Sequence, residues 1–239
     1  VPEGEAKAWF NNQASALTTQ VNAWYSGELF GVANVAALTI PHVFEAQNIE
    51  YQFDLTDLQQ YPNSAIGKMA FSAKQFNVYD EDQQKLSFND LNASSSNQLV
   101  GKIVKSSGKL STHFAIQQQD LGKLVLDSSA SSDVKAYEEL MALASHGSQS
   151  GNIEQVLTQL FASESQLKID RLAFENSKGS SEAALNIDLK AFDPAKLQSL
   201  GEFLTVFKPS LLDINVNTAN LEEFIKQSAV GSGVSEQEA

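Results

Sequence analysis

Three histidines are the first residues to weigh for chemistry, because imidazole changes charge near neutral pH. His42 follows Pro41, His113 sits on the polar parity of a strand pattern, and His146 lies near a helix end. No two of them stand four apart and none belongs to an H-E-x-x-H pattern. No G-x-S-x-G is present to set a serine on a sharp turn beside a base. The three read as surface imidazoles, with His146 favoured by the negative end of its helix. The carboxylates come next. Asp80, Glu81 and Asp82 make a dense acidic tip, and Asp54, Asp57 and Asp90 are expected near it across a sheet. A calcium loop needs the D-x-[DN]-x-[DN]-G spacing, and this segment lacks the glycine, so a solvated hairpin tip is expected. Paired carboxylates of a hydrolase are kept as an alternative, since pairs in space leave no mark in sequence.

The chain has no cysteine, which excludes thiolate catalysis, Cys-ligated zinc, iron–sulfur clusters and disulfides together. No glycine-rich phosphate loop occurs, so no nucleotide cofactor is expected. Catalytic, cofactor and metal residues are therefore all assigned as none, and the protein reads as a non-enzyme.

Net charge is −13 over 239 residues, from 16 Lys and Arg against 29 Asp and Glu, which argues against nucleic acid as a partner. Arg171 is the one arginine, so a bidentate guanidinium clamp for phosphate is not expected. At 42% hydrophobic the chain has enough apolar residues to fold. Phenylalanine is its main aromatic, 14 against 5 tyrosines and 2 tryptophans. Most phenylalanines fall on the buried parity of strand patterns, which core packing explains. The sharper reading is an apolar groove for a lipid or another hydrophobe, with Phe71, Phe76, Phe88, Phe114 and Phe174 as its candidate lining.

The elements that would carry these residues follow from periodicity. Phe10, Ala14, Leu17, Val21 and Trp24 form a helical stripe, closed by Gly27 and Gly31. Period-two patterns then predict strands at 35–40 and 49–55. Met69, Phe71 and Ala73 alternate, and Phe76 and Val78 continue on the opposite parity, which predicts a β-bulge inside one long strand. Further strands are predicted at 86–91, 99–104, 110–116 and 121–126, with Ser106-Ser107-Gly108 as a turn. Two helices follow, 134–144 behind a Ser132/Asp133 cap and 153–161 behind Asn152. A hairpin turning at 177–180, a short helix at 193–200, a strand at 212–216 and a helix capped by Thr218 complete the chain. The fold class is α+β: a long twisted antiparallel meander of about nine strands, helices on its apolar face, curled into a groove. Residues 1–230 are expected to form one domain, with two lobes dividing near 130 as the alternative, and 231–239 a disordered acidic tail.

The stretch from Leu167 to Leu189, L-K-I-D-R-L-A-F-E-N-S-K-G-S-S-E-A-A-L-N-I-D-L, resembles a hairpin of the YdgA-like family of bacterial envelope proteins of unknown function. The shared turn positions are Asn176, Ser177, Gly179 and Glu182. Two further blocks resemble the family in order: Gln119 to Leu124 ahead of the helix at Ala136-Tyr137, and the strand at Ile214–Val216 running into the helix with Leu221 and Ile225. The likeness covers roughly residues 65–228. It implies an exported, periplasmic protein tethered to the inner membrane by an N-terminal segment upstream of Val1, and it supplies no catalytic residues. The 64 Ser, Asn and Gln residues and the missing cysteines suit such a compartment. In the turn, Gly179 is expected at positive φ and Asn176 to bond its own backbone. The function expected is binding of a hydrophobic ligand or an envelope partner protein; a structural or oligomeric scaffold is a further alternative.

Overall fold

The computed structural model describes residues 17–25, 28–80, 85–117, 119–146, 160, 165–191 and 205–235. Ten strands follow one another in space as in sequence: β1 (Leu17–Tyr25), β2 (Glu28–Ile40), β3 (Phe44–Leu55), β4 (Gly67–Tyr79), β5 (Lys85–Val100), β6 (Ile103–Ile116), β7 (Gln119–Asp133), β8 (Gln166–Asn176), β9 (Gly179–Asp188) and β10 (Leu211–Asn215). They form one open antiparallel sheet in the order β1 to β10. Helix α1 (Val134–His146) leaves β7 directly, and helix α2 (Thr218–Gly231) follows β10. The α+β meander is as the periodicity predicts. Residue 130, the expected lobe boundary, lies inside β7.

The extra strand is β1. Residues 17–25 are extended and pair with β2 from Leu17↔Val35 to Asn22↔Phe30, instead of forming the end of a helix. Leu17, Thr19 and Val21 fit a period of two as well as the helical stripe. With Thr18, Trp24 and Tyr25 the segment is rich in β-branched and aromatic residues, and the edge of β2 takes its backbone groups. Gly31 lies within β2 opposite Val21 and ends nothing.

Other boundaries move too. The predicted strand at 99–104 contains the β5–β6 turn, with Val100 opposite Ile103 and Gly101 at φ 64°. Ser106, Ser107 and Gly108 are mid-strand in β6, where Gly108 faces Ser95 and Ser128. At the C-terminus Asn217, not Thr218, caps α2. Helix α2 runs to Gly231, and Val234 N–H donates to Ala229 O at 3.0 Å. The helices predicted at 153–161 and 193–200 lie outside the described residues, save Leu160.

The slip predicted in β4 is present and is shared by its neighbours. Pairing keeps a constant offset along β3–β4 and β4–β5, with Asn48, Lys74 and Asp90 standing abreast between paired residues. Asn48 (φ 49°) and Asp90 (φ 51°) take the left-handed region that Asn and Asp tolerate. Because the extra residue is matched from β3 to β5, the slip first appears as a register shift where β5 meets β6, between Asn89 and Asn92. The consequence is that Phe71 and Phe76, five residues apart, share a face.

Cross-strand partners point the same way, so the register traces that face across the sheet. One row runs from Tyr51 through Phe71, Ala93, Leu110, Leu126 and Leu172 to Ala183 and Ile214. The helices cover its two ends. Under α1, Ile66, Val104 and Val134 form a fully buried cluster packed by Tyr61, Leu99 and Tyr137. Under α2, Phe224 meets Phe174 edge-on at 4.9 Å.

Candidate functional site

Between the two covered ends the apolar face stays open. Tyr51 is 37% exposed, Leu172 39% and Ile214 59%, all in the central row. Its floor is low in the middle, where Gly108, Ser128 and Ala93 stand between bulkier neighbours. The β-sheet therefore carries a trough crossing its strands, walled by α1 on one side and α2 on the other.

The wall at α1 is fixed by polar contacts. Asp133 Oδ1 accepts from Lys135 N–H at 2.9 Å and Ala136 N–H at 3.4 Å, capping the helix as Ser132/Asp133 predicted. One turn on, Glu138 Oε1 accepts from the N–H of Asn63 (2.8 Å) and from its Nδ2 (2.6 Å), and Ser64 Oγ donates to Glu138 Oε2. Asn97, buried on β5, donates Nδ2 to the carbonyls of Ser64 and Ala65, both at 3.1 Å. The loop between β3 and β4 is thus tied to helix and sheet together.

A cavity of about 390 Å³ opens between α1 and this face, lined by Tyr137, Leu140, Leu167, Ile187, Leu189 and Phe207 among others. Ala130, on β7, forms part of its floor. Its few polar groups are at the serines of β6 and β7 and at Ser165 and Gln166. Nothing charged lines it among the described residues. Its lining is thus mostly hydrocarbon, with hydroxyl and amide groups as its polar part.

The five candidate phenylalanines all lie on this face. Phe76, Phe88 and Phe114 form a continuous stack, 6.4 Å and 5.5 Å between ring centroids, which Phe44 extends at 5.8 Å from Phe76. Phe71 belongs to the open central row. Phe174 packs under α2. They line the face in three places and do not enclose one pocket. The pocket residues Tyr137, Leu140, Leu167 and Ile187 carried helix and strand patterns in the sequence, but no signal that β8 and β9 pass beneath α1. Phe207 reaches the site through an isolated bridge to Leu189 and had no periodic signal.

The other face is polar. A hollow there of about 900 Å³ is bordered by Ser94, Ser96, Ser107 and Lys109 with Asp54 and Lys68, and is broad and open. On the same side, Arg171 Nη2 pairs with Glu175 and Glu182, both at 2.6 Å. Hydrogen bonds from Arg171, then from Ser180, hold the Glu182 carboxyl below its usual range. The acids do not gather as expected. Asp54 pairs across from Lys68 at the start of β4, whereas Asp80 follows its end at Tyr79, and Asp57 lies beyond β3 with Asp54. Asp90 is mid-strand opposite Lys74. Extended strands hold residues a dozen apart at about 40 Å, so Asp54 and Asp80 cannot share an ion; Glu81 and Asp82 of the expected tip lie outside the described residues. Among the described residues no three His, Asp or Glu are placed to hold a metal.

At the far wall, the hairpin turn that resembles the YdgA-like pattern is a docking socket for α2. Gly179 has φ 126° and Asn176 Oδ1 accepts from Lys178 N–H at 2.9 Å, as predicted. Beyond that, Asn176 Nδ2 donates to Asn220 O at 2.9 Å, Asn220 Nδ2 to Gly179 O at 2.9 Å, and Ser181 Oγ to Asn220 Oδ1 at 2.8 Å.

A family model of bacterial proteins of unknown function, DUF945, matches residues 8–239. The chain belongs to the DUF945 family. That match takes in β1 and β2, which the shorter likeness at 65–228 did not reach. No curated protein and no solved structure matches this DUF945 chain.

Proposed function

We propose that this DUF945 chain is a non-enzymatic binding domain of the bacterial cell envelope, and that its ligand is a lipid or another hydrophobic molecule seated on the apolar face. The observation that carries the reading is the cavity under α1. It is apolar on nearly every side and lies within the size range of small-molecule sites. The YdgA-like hairpin at Asn176–Gly179, the absence of cysteine and the uncharged polar surface support a periplasmic location at the inner membrane. The hydrolase alternative has less support, since no acid among the described residues is fully buried and the half-buried Glu138 is engaged in holding Asn63 and Ser64.

Titration of the protein with a fluorescent palmitate analogue tests this. Saturable binding at one equivalent is expected, and Ala130→Phe, which fills the cavity from the β7 side, is expected to weaken it at least tenfold while the circular dichroism spectrum is kept. Absence of binding by the wild type, or equal binding by Ala130→Phe, would overturn the proposal.

A further inference from the structure

Strand β10 ends the sheet, and no described strand pairs with its outer edge. It is apolar and exposed to a degree seen nowhere else in the described chain. Leu211 is 64% exposed, Leu212 62%, Ile214 59% and, just after the strand, Val216 55%, and Leu221 and Ile225 in the first half of α2 are 46% and 58% exposed. Edge strands ordinarily carry charges, prolines or covering loops to prevent pairing with another chain. Here the single charge is Asp213.

We propose that β10 pairs with β10 of a second copy of this chain, antiparallel about a twofold axis through Ile214. The sequence Leu212-Asp213-Ile214-Asn215-Val216 reads the same in character from either end. Centred on Ile214, the pairing sets Ile214 against its own copy and Leu212 against Val216 of the partner subunit on one face. On the other face it sets Asp213 against Asn215 of the partner subunit, whose amide can donate to the carboxylate. Other registers do worse: centring on Asp213 opposes two carboxylates. The six exposed side chains present on the order of 500 Å² per copy, so a pair that covered all of them would bury about 1,000 Å², the lower bound for a specific interface. A twofold axis perpendicular to the sheet also leaves both apolar faces on the same side. Leu212 and Ile214 end the rows that floor the trough, so the pairing joins two troughs into one.

The chain has no cysteine, so Ile214→Cys carries a single thiol placed to meet its copy. Under mild oxidant this variant is expected to become a covalent dimer at least tenfold faster than Val100→Cys, a control 52% exposed at the β5–β6 turn. Sedimentation of the wild type should show a concentration-dependent dimer that tightens as salt screens the net charge of −13 on each copy. Asn215→Asp, on the polar face, sets two carboxylates against each other across the pair and should remain monomeric, with unchanged circular dichroism and unchanged palmitate-analogue binding under α1, which separates this proposal from the ligand proposal. A wild type that stays monomeric throughout, equal crosslinking by Val100→Cys, or a dimer that survives Asn215→Asp would overturn it.

Discussion

Asn220, 1% exposed in the first turn of α2, donates its side-chain amide to the carbonyl of Gly179 at 2.9 Å. That bond joins the far wall of the trough to the tip of the β8–β9 hairpin. Its Oδ1 accepts from Ser181, its carbonyl accepts from Asn176, and its N–H bonds the capping Asn217 at 3.2 Å. Asn220→Ala leaves the Gly179 carbonyl and the Ser181 hydroxyl without these partners, a loss of about 2 kcal/mol. Urea denaturation should show the midpoint falling with the slope unchanged.

Gly122 carries a second prediction. At φ 130° it sits where a side chain is strained, and a Cβ there would collide with the carbonyl of Glu175 on β8. Gly122→Ala is expected to cost about 2 kcal/mol or more, since strand β8 must move or the backbone must distort. Thermal melts of the two proteins compare them directly.

The phenylalanine stack on β4–β6 contributes packing. Phe88 contacts Phe76 and Phe114 at once, so Phe88→Ala removes two ring pairs and opens a half-buried gap. A loss of about 2 kcal/mol is expected, below the range for fully buried phenylalanines. Hydrogen exchange should quicken at Phe76 and Phe114 before it does at Leu167.

A pH effect follows from Glu182. Its carboxyl is held below the ordinary range in the fold by Arg171 first and Ser180 second. The unfolded chain therefore binds the proton more readily, and the stabilisation is present above the ordinary carboxylate pKa and lost as pH falls through the folded value. Glu182→Gln should flatten the decline in melting temperature between about pH 5 and pH 3 and change little at pH 7.

Local pattern disclosed much of this. Met69-Phe71-Ala73 followed by Phe76 revealed the shared slip, and Asn176 to Gly179 revealed the turn conformation. The segment 17–25 was misread because Leu17 and Val21 satisfy both periods, and only pairing with β2 decides between them. The cavity was hidden for another reason: Tyr137 and Leu167 are brought together by a connection that no short-range pattern encodes. The exposure of β10 was equally invisible, since Leu212 and Ile214 alternate as a core strand would.

Photo-crosslinking with a fatty acid carrying a diazirine near its methyl end tests the central claim most directly. Labelling is predicted on peptides containing Tyr137, Leu167 and Ile187, and lost in Ala130→Phe. Labelling concentrated on the polar-face peptides around Ser94–Ser96 and Ser107–Lys109, or none above background, would contradict it.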